Sequence, residues 1–253
     1  MSQSSPNTYT QNTNTQDAHF YASRLAFIAG VALLTIIGYG GYQAVSQQTF
    51  ELLFNLHDYQ TLLLEQQGPL RVILGLDNLF IAFYAGAVIF LVKALRNNHN
   101  ALELTVILCL VLAGAVLDYI ENHHILAMIF SLNAEISIQA NVIEAQMVAS
   151  ALKWHFGFFA FFLVGFVFKP ETQIERVFRW ALWYVQMPLG VFYYVSIETR
   201  GLGSMGGNSL LETVLFVIRY LNLVVGFFFF GYVFDQRWKR ESGAKNLQPE
   251  IAH

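Results

Sequence analysis

Long apolar runs, broken at near-regular intervals by short polar segments, fill the chain from residue 22 to residue 235. A helix rising about 1.5 Å per residue needs roughly 18 or more mostly apolar residues to cross a bilayer. Six runs meet that length, near 22–45, 70–96, 105–130, 149–169, 177–197 and 211–235. The pattern predicts an all-α, polytopic integral membrane protein, a six-transmembrane-helix bundle over residues 22–238. Residues 1–21 are predicted to be a disordered tail, because Ser, Thr, Gln and Asn dominate them. Residues 239–253 form a second tail.

The connecting segments differ in character. Residues 49–67 mix apolar and acidic positions at loosely helical spacing, which predicts a short interfacial helix before Pro69 opens the second span. Residues 132–147 are acidic, and 201–209 (GLGSMGGNS) are glycine-rich. The latter segment lacks the Gly-Lys-Ser/Thr ending of a phosphate loop. Either it is a plain connector or it is a lid over the mouth of the bundle.

Composition agrees with the runs. Of 253 residues, 55% are hydrophobic and 12% charged, against about 25% charged in soluble domains. Too little polar sequence remains for a water-facing shell, so the lipid bilayer is the first partner. A net charge of −3 gives no reason for a nucleic-acid partner. The sequence names no protein partner. With one cysteine, Cys109, no intrachain disulfide forms.

Charge placement orients the bundle. With alternating loops, Arg24, Lys93, Arg96, Lys169, Arg176, Arg179, Arg237, Lys239, Arg240 and Lys245 fall on one side, and only Arg71 and Arg200 on the other. Lys and Arg stay on the cytoplasmic face, so both termini are predicted to be cytoplasmic. The start has no basic n-region or small-residue cleavage site, and the first run reads as an uncleaved anchor. Compact loops without a sorting signal suggest a bacterial inner (plasma) membrane.

Five charges interrupt the apolar runs: Asp77, Asp118, Glu121, Lys153 and Arg219. Each costs about 2.5–3.5 kcal/mol at a helix centre, so five together imply partners or a use. At 100° per residue, Gly114, Ala115, Asp118, Glu121, Asn122 and Ile125 share one face of the third helix. Ala149, Ser150, Lys153, Gly157 and Ala160 share a face of the fourth. Glu212, Arg219, Asn222 and Gly226 share one on the sixth, and Asp77 aligns with Ile81 and Tyr84, with Asn78 alongside. Small and polar residues on one stripe point into a bundle. His155 and His123 are turned away from these faces.

Three acids against two bases leave one carboxylate unmatched. Beside a lysine, such a group can be an acid, a proton carrier or a cation site. The expectation is an outward-facing intramembrane pocket for a polar or amphiphilic ligand, such as a lipid head group, serving sensing or chemistry. Glu121 and Asp118 would be its acid/base groups. Asp77, Asn78, Asn122, Lys153, Arg219 and Asn222 would bind the ligand, Lys153 and Arg219 holding any anionic portion. Gln186 and Tyr193 are further lining candidates, and Pro188 predicts a kink. The alternatives are a small proton- or cation-coupled transporter, and a structural or accessory subunit held by a buried salt-bridge network.

Metal chemistry is less well supplied. Glu121 and His124 form one i,i+3 pair, and a single divalent ion would need Asp77, Asp118, Glu121 and His124 together. Dimetal bundles use two Glu-x-x-His pairs, and only one is present. The several histidines of a zinc-dependent membrane hydrolase are missing, as are the Gly-x-Ser-x-Gly and Gly-x-Gly-Asp patterns of intramembrane proteases.

Overall fold

The structure, a computed structural model, describes residues 8–53, 55–96, 100–189, 191 and 210–246. Its elements are α1 (Thr8–Gln43), α2 (Gln47–Leu52), α3 (Leu56–Leu95), α4 (Ala101–Asn133), α5 (Ala140–Val167), α6 (Gln173–Tyr184) and α7 (Leu210–Asn246). No strand occurs among the described residues. Among the described residues, four segments are long and apolar enough to cross a membrane: Thr15–Gln43, Leu56–Leu95, Ala101–Asn133 and Ala140–Val167. The chain is therefore read as an integral membrane protein. The fifth predicted run begins on α6 and continues onto residues mostly outside the described set. The sixth falls on α7, where the side chains at 211–217 and 219 are also outside it.

The helices close into a ring. α1 packs between α3 and α7, α4 lies between α3 and α5, and α6 bridges α5 and α7, while α2 tucks against α3 and α5. The start of α1 meets the end of α7: Ser23 donates to the Gly231 carbonyl at 2.8 Å, and Arg24 pairs with Asp235 at 3.0 Å. Tyr21 packs on Phe90, and Arg237 donates to the Lys169 carbonyl. The basic residues thus gather at one end of the bundle, called the basic end below.

Both ends of the bundle are helical beyond the predicted spans. α1 is helical from Thr8, and Ala18, His19, Ala22 and Ser23 are buried against α7. The small residues at helical spacing let the two helices approach. α7 continues to Asn246, held by Asp235–Lys239 at 2.7 Å and His19–Glu241 at 3.2 Å.

The expected interfacial helix over 49–67 is also rearranged. α3 begins at Leu56, where Asn55 accepts from the amides of His57 and Asp58, and it runs on through Pro69. Proline removes one backbone bond to Glu65 but does not end the helix, because the remaining ladder and the packing of Leu63, Leu70 and Ile73 hold it. Only Gln47–Leu52 forms a separate short helix, and it faces inward, with Phe50 and Glu51 buried.

A tight turn makes that possible. Val45 donates its amide back to Gly40 at 2.9 Å, and Ala44 adopts φ 52. A Cβ on Gly40 would stand 2.7 Å from the Val45 carbonyl oxygen. Gly40→Ala is therefore expected to displace α2 and lower stability by about 1–3 kcal/mol, readable as a drop in melting temperature in detergent.

Two apolar cores form, separated along the bundle axis. One, towards the basic end, contains Ala22, Ala26, Phe80, Leu91, Ile107, Val164, Phe178 and Phe234. The other contains Phe50, Tyr59, Leu70, Leu74, Ile125, Ile129 and Ile143. Between Leu74 and Phe80 on α3, and between Ala115 and Ile125 on α4, lies the polar layer.

Candidate functional site

Lys153 of α5 is the centre of that layer. Its Nζ lies 2.7 Å from Asp118, 2.6 Å from Glu121 and 3.4 Å from Glu51, with the Glu51 and Glu121 side chains fully buried. Lys153 donates a hydrogen bond to Asp118, and Glu51 and Glu121 are held beside it as ion pairs. Tyr84 donates to the second Asp118 oxygen at 3.3 Å, and Trp154 donates to Glu51 at 3.2 Å.

An amide chain extends the network. Gln47 donates to Glu121 at 3.3 Å and to Asn122 at 2.8 Å. Asn122 in turn donates to Asp77 at 2.8 Å and to the Asn78 side chain at 2.9 Å. Tyr119 bonds the Asn78 carbonyl at 3.0 Å. Four helices, α2 to α5, are tied through one set of charge-assisted bonds, which are stronger than neutral ones.

Of the residues expected at a site, Asp77, Asn78, Asp118, Glu121, Asn122 and Lys153 come together. Asn222 stands elsewhere: it accepts at 3.3 Å from Gln186, two residues beyond the end of α6. The Arg219 side chain and Tyr193 lie outside the described residues. The chain leaves regular helix at Val185, three residues before Pro188, as a missing amide and a crowded preceding turn require. His155 contacts the Ala151 carbonyl and His123 the Tyr119 carbonyl, each on its own helix.

Glu51 and Gln47 are the members that sequence reasoning missed. They sit four apart, so both point the same way from α2, a spacing that was legible. Glu51 was hidden by its place in the 49–67 segment read as interfacial, and Gln47 lies in the connector just before it. Tyr59, Gln146 and Ser150 form a second buried polar group beside the layer. Tyr59 donates to Gln146 at 3.0 Å, while Gln146 Nε2 and Ser150 Oγ have no hydrogen-bond partner.

Among the described residues no three His, Cys, Asp or Glu side chains converge on a metal position. The Lys153 ammonium stands between Asp118 and Glu121, and His124 Nδ1 is buried without a hydrogen-bond partner among the described residues.

The layer walls a cavity of about 100 Å³ whose lining includes Asp77, Asp118 and Lys153 together with Phe80, Phe161 and Phe227. Through Leu33, Gln47, Gln48, Asp77 and Tyr220 it adjoins a cavity of about 320 Å³ behind the Gly40–Thr49 turn, at the end opposite the basic one. Chemically, the arrangement offers carboxylate acceptors and an apolar floor. Set against known proteins, the chain matches no family model, no curated relative and no solved structure.

Proposed function

We propose that this chain is a six-crossing membrane protein with both termini cytoplasmic, whose central cavity binds a polar-headed or amphiphilic ligand arriving from the outer side. One observation carries the reading: the carboxylates of Asp77 and Asp118 stand in the wall of a cavity that continues towards the end away from the basic residues. Buried charges used only for packing have no need of such a cavity. The topology is supported by the meeting of the α1 start and the α7 end, which requires an even number of crossings. The basic end is the cytoplasmic one by the Lys/Arg rule, and a bacterial inner membrane is the proposed location.

Through-transport of a proton or cation has less support. Beyond the central cavity the lining is aromatic, with Gln186 and Asn222 the polar groups that line the next space. A binding site open on one side fits that distribution better than a continuous polar route.

Cysteine accessibility tests the reading. In a Cys109→Ser background, Glu135→Cys is expected to react with an impermeant thiol reagent added to intact cells, and Glu171→Cys is not. Gly157 lines the central cavity, and a Cβ there meets nothing within 4 Å. Gly157→Cys is expected to react with a small outer-added reagent. An inert Gly157→Cys beside a reactive Glu135→Cys would show a sealed cavity and remove the pocket reading. Reaction at Glu171→Cys alone would invert the topology.

A further inference from the structure

We propose that the ligand of the central cavity is an organic cation, an ammonium head on a short apolar body; this rests on the ligand-binding reading above and names its ligand class. The first support is charge. Asp77, Asp118 and Glu121 are gathered about one ammonium, Lys153, among the described residues. Among the described residues an anionic head would meet only Lys153, which already neighbours three carboxylates. A cationic head would instead supply the charge that the layer lacks.

The second support is the wall itself. Phe80, Tyr84, Trp154, Phe161, Tyr220 and Phe227 line the same small cavity as Asp77 and Asp118. Aromatic faces carry negative potential and attract alkylammonium heads, while they repel anions. Carboxylates for charge and aromatic faces for a weakly hydrated cation are the two halves of one recognition chemistry.

The third support is the space beyond. A cavity of about 230 Å³ lies between α5, α6 and α7 and shares Phe161, Leu223 and Phe227 with the central one. Its lining is apolar apart from Gln186 and Asn222, and Asn222 Nδ2 is buried there without a hydrogen-bond partner among the described residues. A head placed at Asp77 and Asp118 would direct an alkyl body past Phe227 into this space. A bare inorganic cation would leave it unfilled.

The test is binding to the purified full chain in detergent, read as thermal shift against probe concentration. The probes are octyltrimethylammonium, tetramethylammonium and octanoate, each below its micellar concentration and at one ionic strength. Octyltrimethylammonium is expected to raise the melting temperature saturably, with half-saturation at least tenfold lower than octanoate or tetramethylammonium. Asp77→Asn, which leaves the direct Lys153 pairs in place, should weaken both cations about tenfold. Gly226→Leu fills the apolar cavity at a position where a Cβ meets nothing within 4 Å. It should weaken octyltrimethylammonium to the level of tetramethylammonium and leave the latter unchanged. Octanoate binding as tightly as octyltrimethylammonium would overturn the cation assignment and leave the pocket reading standing. Saturable binding by none of the three would overturn both. Equal loss of both cations in Gly226→Leu would overturn the apolar-body assignment.

Discussion

Lys153→Met is expected to be the most damaging single substitution in the polar layer. It keeps the length of the side chain but removes the cation shared by Glu51, Asp118 and Glu121. Breaking a buried pair costs about 3–5 kcal/mol, because the stranded charge has neither water nor partner. For a chain of this size that is about 10 °C of melting temperature or more. Glu121→Gln should be milder, since it removes one of several carboxylates and keeps one oxygen to accept from Lys153, losing only the weaker 3.3 Å contact with Gln47. Melting temperature in detergent for both variants checks the order. If Glu121→Gln costs as much as Lys153→Met, the charge surplus argued for this layer is wrong. Loss of probe binding in Glu121→Gln at unchanged melting temperature would separate a working carboxylate from a structural one.

The second large effect is expected at the basic end. Arg237 grips Glu175 with two bonds, Nε to Oε1 at 3.1 Å and Nη2 to Oε2 at 3.0 Å, and stacks 4.3 Å from the centre of the Phe168 ring. Arg240 and the Glu171 amide also donate to Glu175, and Thr172 caps the helix that carries it. This clasp fastens the α5–α6 connection and α6 to the end of α7. Both partners are nearly inaccessible, so Arg237→Met is expected to cost about 3–5 kcal/mol.

The same clasp gives a pH dependence. Burial works to raise the Glu175 carboxyl, but bonds from Arg237, from the Glu171 amide and from Arg240 outweigh it and hold it down to about 2, against an ordinary 4.5. A carboxyl depressed by folding stabilises fully above its unfolded value. That contribution drains away as pH falls from about 4.5 towards 2. The melting-temperature gap between the wild type and Glu175→Gln should therefore close over that window and stay constant above it. A gap unchanged at the acid end would mean that Glu175 does not carry this stabilisation.

What the sequence determined by itself was local. Runs of apolar residues fixed helical elements, and the 100° advance per residue placed Asp118, Glu121 and Asn122 on one face of α4 and Lys153 on one face of α5. Those faces meet in the structure. The same periodicity set His155 apart from Lys153. Helix faces follow from backbone geometry over a few residues, so they are readable without any knowledge of neighbours.

Everything that depended on neighbours was decided by tertiary structure. Local polarity suggested an α3 starting at Pro69, yet packing of Leu63 and Leu70 carries it from Leu56. Polar residues before 22 and after 238 suggested tails, yet α1 and α7 bury Ala18 and His19 against each other there. Most consequentially, Glu51 lies in a segment whose composition suits a membrane surface. Only the turn at Gly40 and Ala44, with the packing of Phe50 against Tyr59, brings it to 3.4 Å from Lys153. Its presence changes the charge balance of the layer. Sequence specifies which face of a helix is polar; which polar groups share that space depends on the path of the chain between helices.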